Sequence, residues 1–265
     1  MNRPQVVIFS TASVDGRLTL ASNVMLLYGD ERWPSTSGSS MAYNWLQHTH
    51  KPQATLEGSG SFVPENATPE PLPPVDSNPQ VLYQDFLPAA VVQRPGHRGW
   101  FTVVDGRGRV RWVYKEHPSE EWAGWHLLVL VGHHTPPEYL AYLRRENIPY
   151  LVAGEQVAGE QVAVKQRVDL GAALEKLKSS LGVTCVLSTA GGRLNGALLR
   201  AGLVDEVNIE FFPAIIGGLE TPSLFDAPAL QPEEWPTQLR LLSAHCHTEG
   251  QVWLRYQVIS EGNKS

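Results

Sequence analysis

Cysteine is scarce. The 265 residues hold two, Cys185 and Cys246, neither in a C-x-x-C or other metal-spaced group, which argues against a disulfide framework and a cysteine-based metal cluster. No stretch approaches the apolar length of a membrane span, so no membrane partner is expected. The chain enters Gln5-Val-Val-Ile-Phe9 without a charged segment leading a long apolar core, and a cytoplasmic location is expected. Long basic runs are missing too, and with a formal charge of −6 the chain offers no footprint for a nucleic-acid backbone. Any anionic ligand must therefore be held by local features.

What is present is a large apolar fraction, 42%, enough to bury a sizeable core. Gln5–Ser10, Ala54–Glu57, Trp100–Val104, His126–Val131, Tyr150–Ala153 and Val183–Ser188 read as buried strands. Helical patterns cover Met41–Gln47, Pro136–Arg145, Leu170–Leu181 and Arg193–Ala201, with Pro137 suited to a first turn. Strands alternating with helices of about ten to fifteen residues predict crossover units and a mostly parallel sheet, an α/β fold. After Asp205 the helices stop: Val207–Phe212, Leu239–His247 and Gln251–Ile259 are strand-like, and the last two predict an antiparallel β-hairpin. Six prolines between Pro64 and Pro79 exclude helix and central strand, leaving an extended surface loop, a lid or a dimer arm. The tandem Ala153–Val157 and Ala158–Val162 repeat is too short for a solenoid and reads as a duplicated surface loop. We take residues 1–265 as one domain.

The segment richest in chemical meaning is Ser188-Thr-Ala-Gly-Gly-Arg-Leu-Asn-Gly-Ala-Leu-Leu-Arg-Ala-Gly-Leu-Val-Asp-Glu206. It places Gly191 and Gly192 between a buried strand and a helix that begins with Arg193 and Leu194. Unpaired N–H groups and the positive end of the helix dipole there form a candidate pyrophosphate cradle, or simply a tight strand–helix turn. On the cradle reading, Gly192→Val blocks a ligand and leaves the fold largely intact. Asp15, in the turn Ser13–Arg17, is a candidate for orienting a substrate or donating a proton, although Asp-Gly is also a common turn pair. Asp30, in Tyr28–Glu31, is a further carboxylate on a polar loop. His48 and His50, His133 and His134, and His245 and His247 lack an acidic or third-histidine partner nearby, so no metal is expected.

Thr189–Glu206, Phe212–Gly218 and Pro222–Asp226 resemble the C-terminal half of the riboflavin-biosynthesis reductase family, which shares the fold of dihydrofolate reductase and includes the reductase domain of bifunctional deaminase-reductases. Ser13-Val-Asp-Gly-Arg17 resembles the family's S-L-D-G-K/R turn, Gly58-Ser-Gly-Ser61 its G-x-G-T loop, and Val103-Val-Asp-Gly106 its V-V-D-S strand end, all in the family's order. The resemblance implies an NADPH-dependent reductase, a homodimer, and hydride transfer from the nicotinamide C4 to C1′ of an opened sugar on a phosphorylated pyrimidine. It places Gly58, Gly60, Ser61 and Glu65 beside the nicotinamide-ribose region with Thr11 close by, and Glu65 joins Asp15 as a catalytic candidate. Gly106 stands where the family has a serine hydroxyl near the 2′-phosphate. Arg107 and Arg109 are suited to supply the missing anion contacts and a preference for NADPH over NADH.

Two departures bear on the substrate. Thr189 stands where the family usually has a substrate-binding glutamate, and the family's D-x-P-x-L run after the G-x-G-T loop is absent. A paralogue reducing another carbonyl, imine or pterin-like compound is the second reading, and a nucleotide-binding protein without turnover the third. The H-x-E and P-C-x-x-C signature of a zinc deaminase is missing, so a reductase here stands without that module.

Overall fold

The computed structural model describes residues 2–22, 24, 32, 41–75, 78–116, 120–154, 168–247 and 249–259. It divides into two compact units, the first made of Met1–Pro4, Gln53–Ser59 and Asn66–Thr184, the second of Gln5–Pro52, Gly60–Glu65 and Cys185–Ser265. Asp30 and most of the tandem repeat lie outside the described residues.

In the first unit four parallel strands run in the order β5-β4-β3-β2, namely Tyr150–Val152, Trp125–Val131, Gly99–Val104 and Ala54–Gly58. Trp-His-Leu-Leu-Val-Leu-Val in β4 is buried at every position, as a strand covered on both faces must be. The helix Pro137–Arg145 (α3) starts after Pro136 and buries Tyr139, Leu140, Tyr142 and Leu143, whose spacing puts them on one helical stripe. Leu170–Leu181 (α4) is closed at both ends: the Asp169 carboxylate accepts the N–H of Ala172 at 3.0 Å, and Gly182 takes the left-handed C-cap. A short helix at Ala89–Val92 (α2) has no counterpart in the sequence reading, because four residues carry no periodicity.

The second unit holds the strands in the order β6-β1-β7-β9-β8. Gln5–Ser13 (β1) is flanked by parallel Cys185–Ser188 (β6) and Glu206–Phe212 (β7). Val252–Ile259 (β9) pairs antiparallel with β7 and with Gln238–Cys246 (β8), which is the expected C-terminal hairpin. Met41–His50 (α1) lays Ala42 and Leu46 against Val7, Phe9, Cys185, Leu187 and Trp253. Each fully buried aliphatic or aromatic side chain there contributes about 1.5–3 kcal/mol. Beside this core Glu206 accepts from Asn208 at 3.0 Å and from Arg255 at 3.1 Å, with His50 3.4 Å away. Burial pushes its carboxyl up, but these partners outweigh it and hold the pKa at about 2. The Arg255 guanidinium also stacks 4.0 Å from the Trp45 ring, while its N–H edge serves Glu206.

Candidate active site

The Gly191–Gly192 turn lies where expected, at the carboxyl end of β6, and opens the helix Gly192–Arg200 (α5). Gly191 is the N-cap and no side chain caps the helix; the N–H groups of Leu194 and Asn195 reach back to its carbonyl at 3.1 Å each. The N–H groups ahead of them have no partner inside the helix, and with the dipole they are suited to an anion. Asn195, fully buried, fixes this turn. It accepts from the Ser188 hydroxyl at 2.8 Å and donates to the Ala190 carbonyl at 2.7 Å, joining the strand end to the helix. Sequence reasoning passed over Asn195, although a polar side chain on the inward face of an amphipathic helix is a usable signal.

Why position 192 must be glycine differs from the expectation. A Cβ there would stand 1.9 Å from the Ser223 carbonyl oxygen and 2.8 Å from Oδ2 of Asp226. One turn on, a Cβ at Gly196 would meet the backbone of Asp226 at 3.1 Å. These two glycines form a smooth helix face on which the 223–227 segment rests, tied by the Asp226 N–H to the Gly192 carbonyl at 3.0 Å. Gly192→Val therefore disturbs the fold first, and the expectation of an intact fold is corrected.

Asp15 also has a structural duty. Its carboxylate accepts from the Ser13 hydroxyl at 2.6 Å and from the N–H groups of Ile216 and Gly217 at 3.1 and 2.7 Å. Arg17 continues the clamp by donating to the Thr221 carbonyl at 2.8 Å. The Ser13 hydrogen bond, then those from Ile216 and Gly217, lower the Asp15 pKa to about 2. In this geometry the carboxylate holds the 213–222 segment beside the end of β1, a duty the sequence did not reveal.

Glu65 and Arg193 are brought together in an exposed ion pair at 3.2 Å, which sets the acidic candidate against the first turn of α5. Ser61 is buried, Gly60 is exposed with open space around it, and Thr11 and Thr189 are half-buried near the ends of β1 and β6. Leu194 is half-buried in the same helical turn.

In the first unit, Gly58 ends β2 and Gly106, Arg107 and Arg109 follow β3. Asp105, with no exposed surface, shapes that loop by accepting the N–H groups of Arg109 at 3.1 Å and Val110 at 2.9 Å. Gly108 has φ +64, and a Cβ there would stand 2.7 Å from the Tyr139 ring, so no other residue fits. Arg107 is exposed, whereas Arg109 is buried. With Arg111 they line a cavity of about 450 Å³ whose opposite wall is Pro69, Glu70 and Pro71 of the proline-rich loop. Arg111 fastens that loop by donating to the Glu70 carbonyl at 2.7 Å. Among the described residues no group of three or more acidic, histidine or cysteine side chains is placed to hold a metal.

The chain is 32% identical over 161 residues to a 2,5-diamino-6-ribosylamino-4(3H)-pyrimidinone 5′-phosphate reductase of Methanothermobacter thermautotrophicus, covering 59% of this chain and 64% of the relative. It is 38% identical over 72 residues to the protein of that name from Archaeoglobus fulgidus, covering 27% and 32%. The matches thus span less than two thirds of either relative. Among solved structures, a pyrimidine reductase-like protein of Corynebacterium diphtheriae superposes with a TM-score of 0.59 at 18% identity, covering 98% of this chain and 94% of that one. RibD of Acinetobacter baumannii gives 0.58 at 19% identity, covering 98% and 59%. Identities this low speak for the fold alone. The family described as the RibD C-terminal domain matches residues 4–253, and the chain belongs to that family.

Proposed function

We propose that the chain is an NADPH-dependent reductase of a phosphorylated ribosylamino-pyrimidine, the substrate class in the names of its curated relatives. The observation that carries this is the uncapped N-terminus of α5 at the carboxyl end of β6, in a chain of the RibD C-terminal domain family. Bound there, the dihydronicotinamide would supply the hydride. The protein's part would be positioning: the backbone N–H groups of the α5 turn would hold a pyrophosphate, with Ser61, Thr11 and Glu65 as the candidates for the nicotinamide-ribose region. Arg107, exposed and lining the 450 Å³ cavity, would supply positive charge for a 2′-phosphate. Oxidation of NADPH, followed by absorbance in the presence of that pyrimidine phosphate, is the direct test. Coenzyme binding without turnover rejects the substrate.

A second substrate reading rests on Thr189, which puts a neutral hydroxyl where the family usually has a carboxylate. Turnover of a carbonyl, imine or pterin-like compound in preference to the pyrimidine phosphate would select it.

We further propose one reductase domain over residues 1–265, a cytoplasmic location and a homodimer; among the described residues no helix is long and apolar enough to cross a membrane. The sheet edge β8 supports the dimer: eight of its nine residues are exposed, with Leu239, Leu241 and Leu242 at 41%, 53% and 44%. A long apolar edge strand left open is a template for another chain, and a second copy is the partner that closes it. Sedimentation should show a dimer that Leu241→Lys weakens at least tenfold. A wild-type monomer at micromolar concentration rejects it.

A further inference from the structure

One residue of α5 holds two consecutive carbonyls of the turn that precedes it. The Asn195 side chain donates from Nδ2 to the Ala190 carbonyl at 2.7 Å, and the Asn195 backbone N–H donates to the Gly191 carbonyl at 3.1 Å. The peptide bonds here are trans, and a trans peptide unit carries its C=O and N–H on opposite sides. Drawing the Ala190 carbonyl toward Asn195 therefore turns the Gly191 N–H away from it. That N–H has no acceptor among the described residues, and Gly191 is only half-buried. The grip on the Gly191 carbonyl turns the N–H of Gly192 the same way, so two successive donors share a direction, an arrangement that suits an anion.

Packing alone does not account for the choice of asparagine. The side chain has no exposed surface, and a buried amide costs free energy unless its donors and acceptor are all engaged. Here they are: Oδ1 accepts from the Ser188 hydroxyl at 2.8 Å, and Nδ2 reaches the Ser10 hydroxyl at 3.4 Å besides the Ala190 carbonyl. Ser188 ends β6 and Ser10 lies on the adjacent β1, so one amide ties the turn to two neighbouring strands. The Ser188 donation also fixes which end of the amide faces Ala190, since an oxygen there would meet the carbonyl lone pairs. We propose that Asn195 is a positioning residue for the coenzyme, aiming the Gly191 N–H at the pyrophosphate by holding the Ala190 carbonyl inward. The proposal rests on the cofactor reading above.

Fluorescence titration of the full chain with NADPH and NADH tests it. Asn195→Leu keeps the branched shape and removes the side-chain grip on Ala190. It raises the Kd of both coenzymes about tenfold alike, because the pyrophosphate is common to them, and leaves kcat at saturation within about twofold of the wild type. Ser188→Ala, which spares both carbonyl contacts, stays within about threefold. A folded Asn195→Leu variant that binds both coenzymes like the wild type, a loss confined to NADPH, or a Ser188→Ala variant as weak as Asn195→Leu overturns the role. Where the leucine variant does not fold, amide NMR of the wild-type chain decides. Inorganic pyrophosphate and NADPH should both shift the Gly191 resonance, and a coenzyme that binds without moving it overturns the proposal. A wild-type chain that binds neither coenzyme overturns the cofactor reading itself.

Discussion

Two candidate anion-binding turns, one in each unit, are built by different means. In the second unit, the Gly191–Gly192 turn offers backbone: an uncapped helix end with Asn195 buried beneath it and the 223–227 segment laid on its glycine face. In the first unit, the 105–111 loop offers side chains, with Asp105 consumed in shaping the loop and Arg107 turned outward. Backbone donors are fixed by the fold and read phosphate as such; an exposed guanidinium can be exchanged without unfolding the loop, and is where a preference between two phosphorylation states can be set. The same contrast holds for the two Asp-Gly pairs, Asp15-Gly16 and Asp105-Gly106. Both carboxylates accept backbone N–H groups and serve the frame, although either would pass in a sequence for a catalytic acid.

This difference predicts where a substitution costs stability and where it costs selectivity. The largest effect belongs to Gly192→Val, which drives a side chain into the Ser223 carbonyl; we expect destabilisation of about 3 kcal/mol in chemical denaturation, with coenzyme affinity falling only as the fold is lost. A stable variant that merely fails to bind coenzyme would return the glycine to a ligand role. Next, Arg107→Glu should leave the denaturation midpoint nearly unchanged and weaken NADPH about tenfold, or ~1.4 kcal/mol, with NADH little affected. Equal losses for both coenzymes would take Arg107 away from the 2′-phosphate.

The smallest effect concerns Asp15 and depends on pH. Its folded pKa of about 2 lies below the usual aspartate value of about 3.9, so its contribution is fully present above pH ~4 and drains away as the pH falls toward 2. Asp15→Asn should therefore lower the denaturation midpoint at pH 7, and the gap to the wild type should close near pH 2. A gap that persists in acid would mean that shape, and not charge, holds the 216–217 turn.

Much of this was legible in the chain. The Leu170–Leu181 helix has the bounds its pattern predicts, because Asp169 and Gly182 are local stop signals that need no tertiary partner. The buried strands were found for the same reason, as runs such as Val-Leu-Val carry their burial in their composition. The four-residue helix at Ala89–Val92 was not, since it is shorter than the period that would reveal it. In the site, the resemblance supplied positions but not roles, and Asn195 ties the α5 turn to Ser10, far away in sequence.

The sequence by itself determined the strand and helix pattern, the C-terminal hairpin, the glycine pair at a strand–helix junction and the family, all of which rest on local periodicity or on motifs a few residues long. Only the tertiary structure decided what those motifs are for. Gly192 is small because Ser223 approaches it, Asp15 is ionised because Ile216 and Gly217 donate to it, and Gly106 has no side chain because His134 stands above it. Each of these is a contact between residues at least 28 positions apart, made by close packing and hydrogen-bond geometry that no linear pattern records.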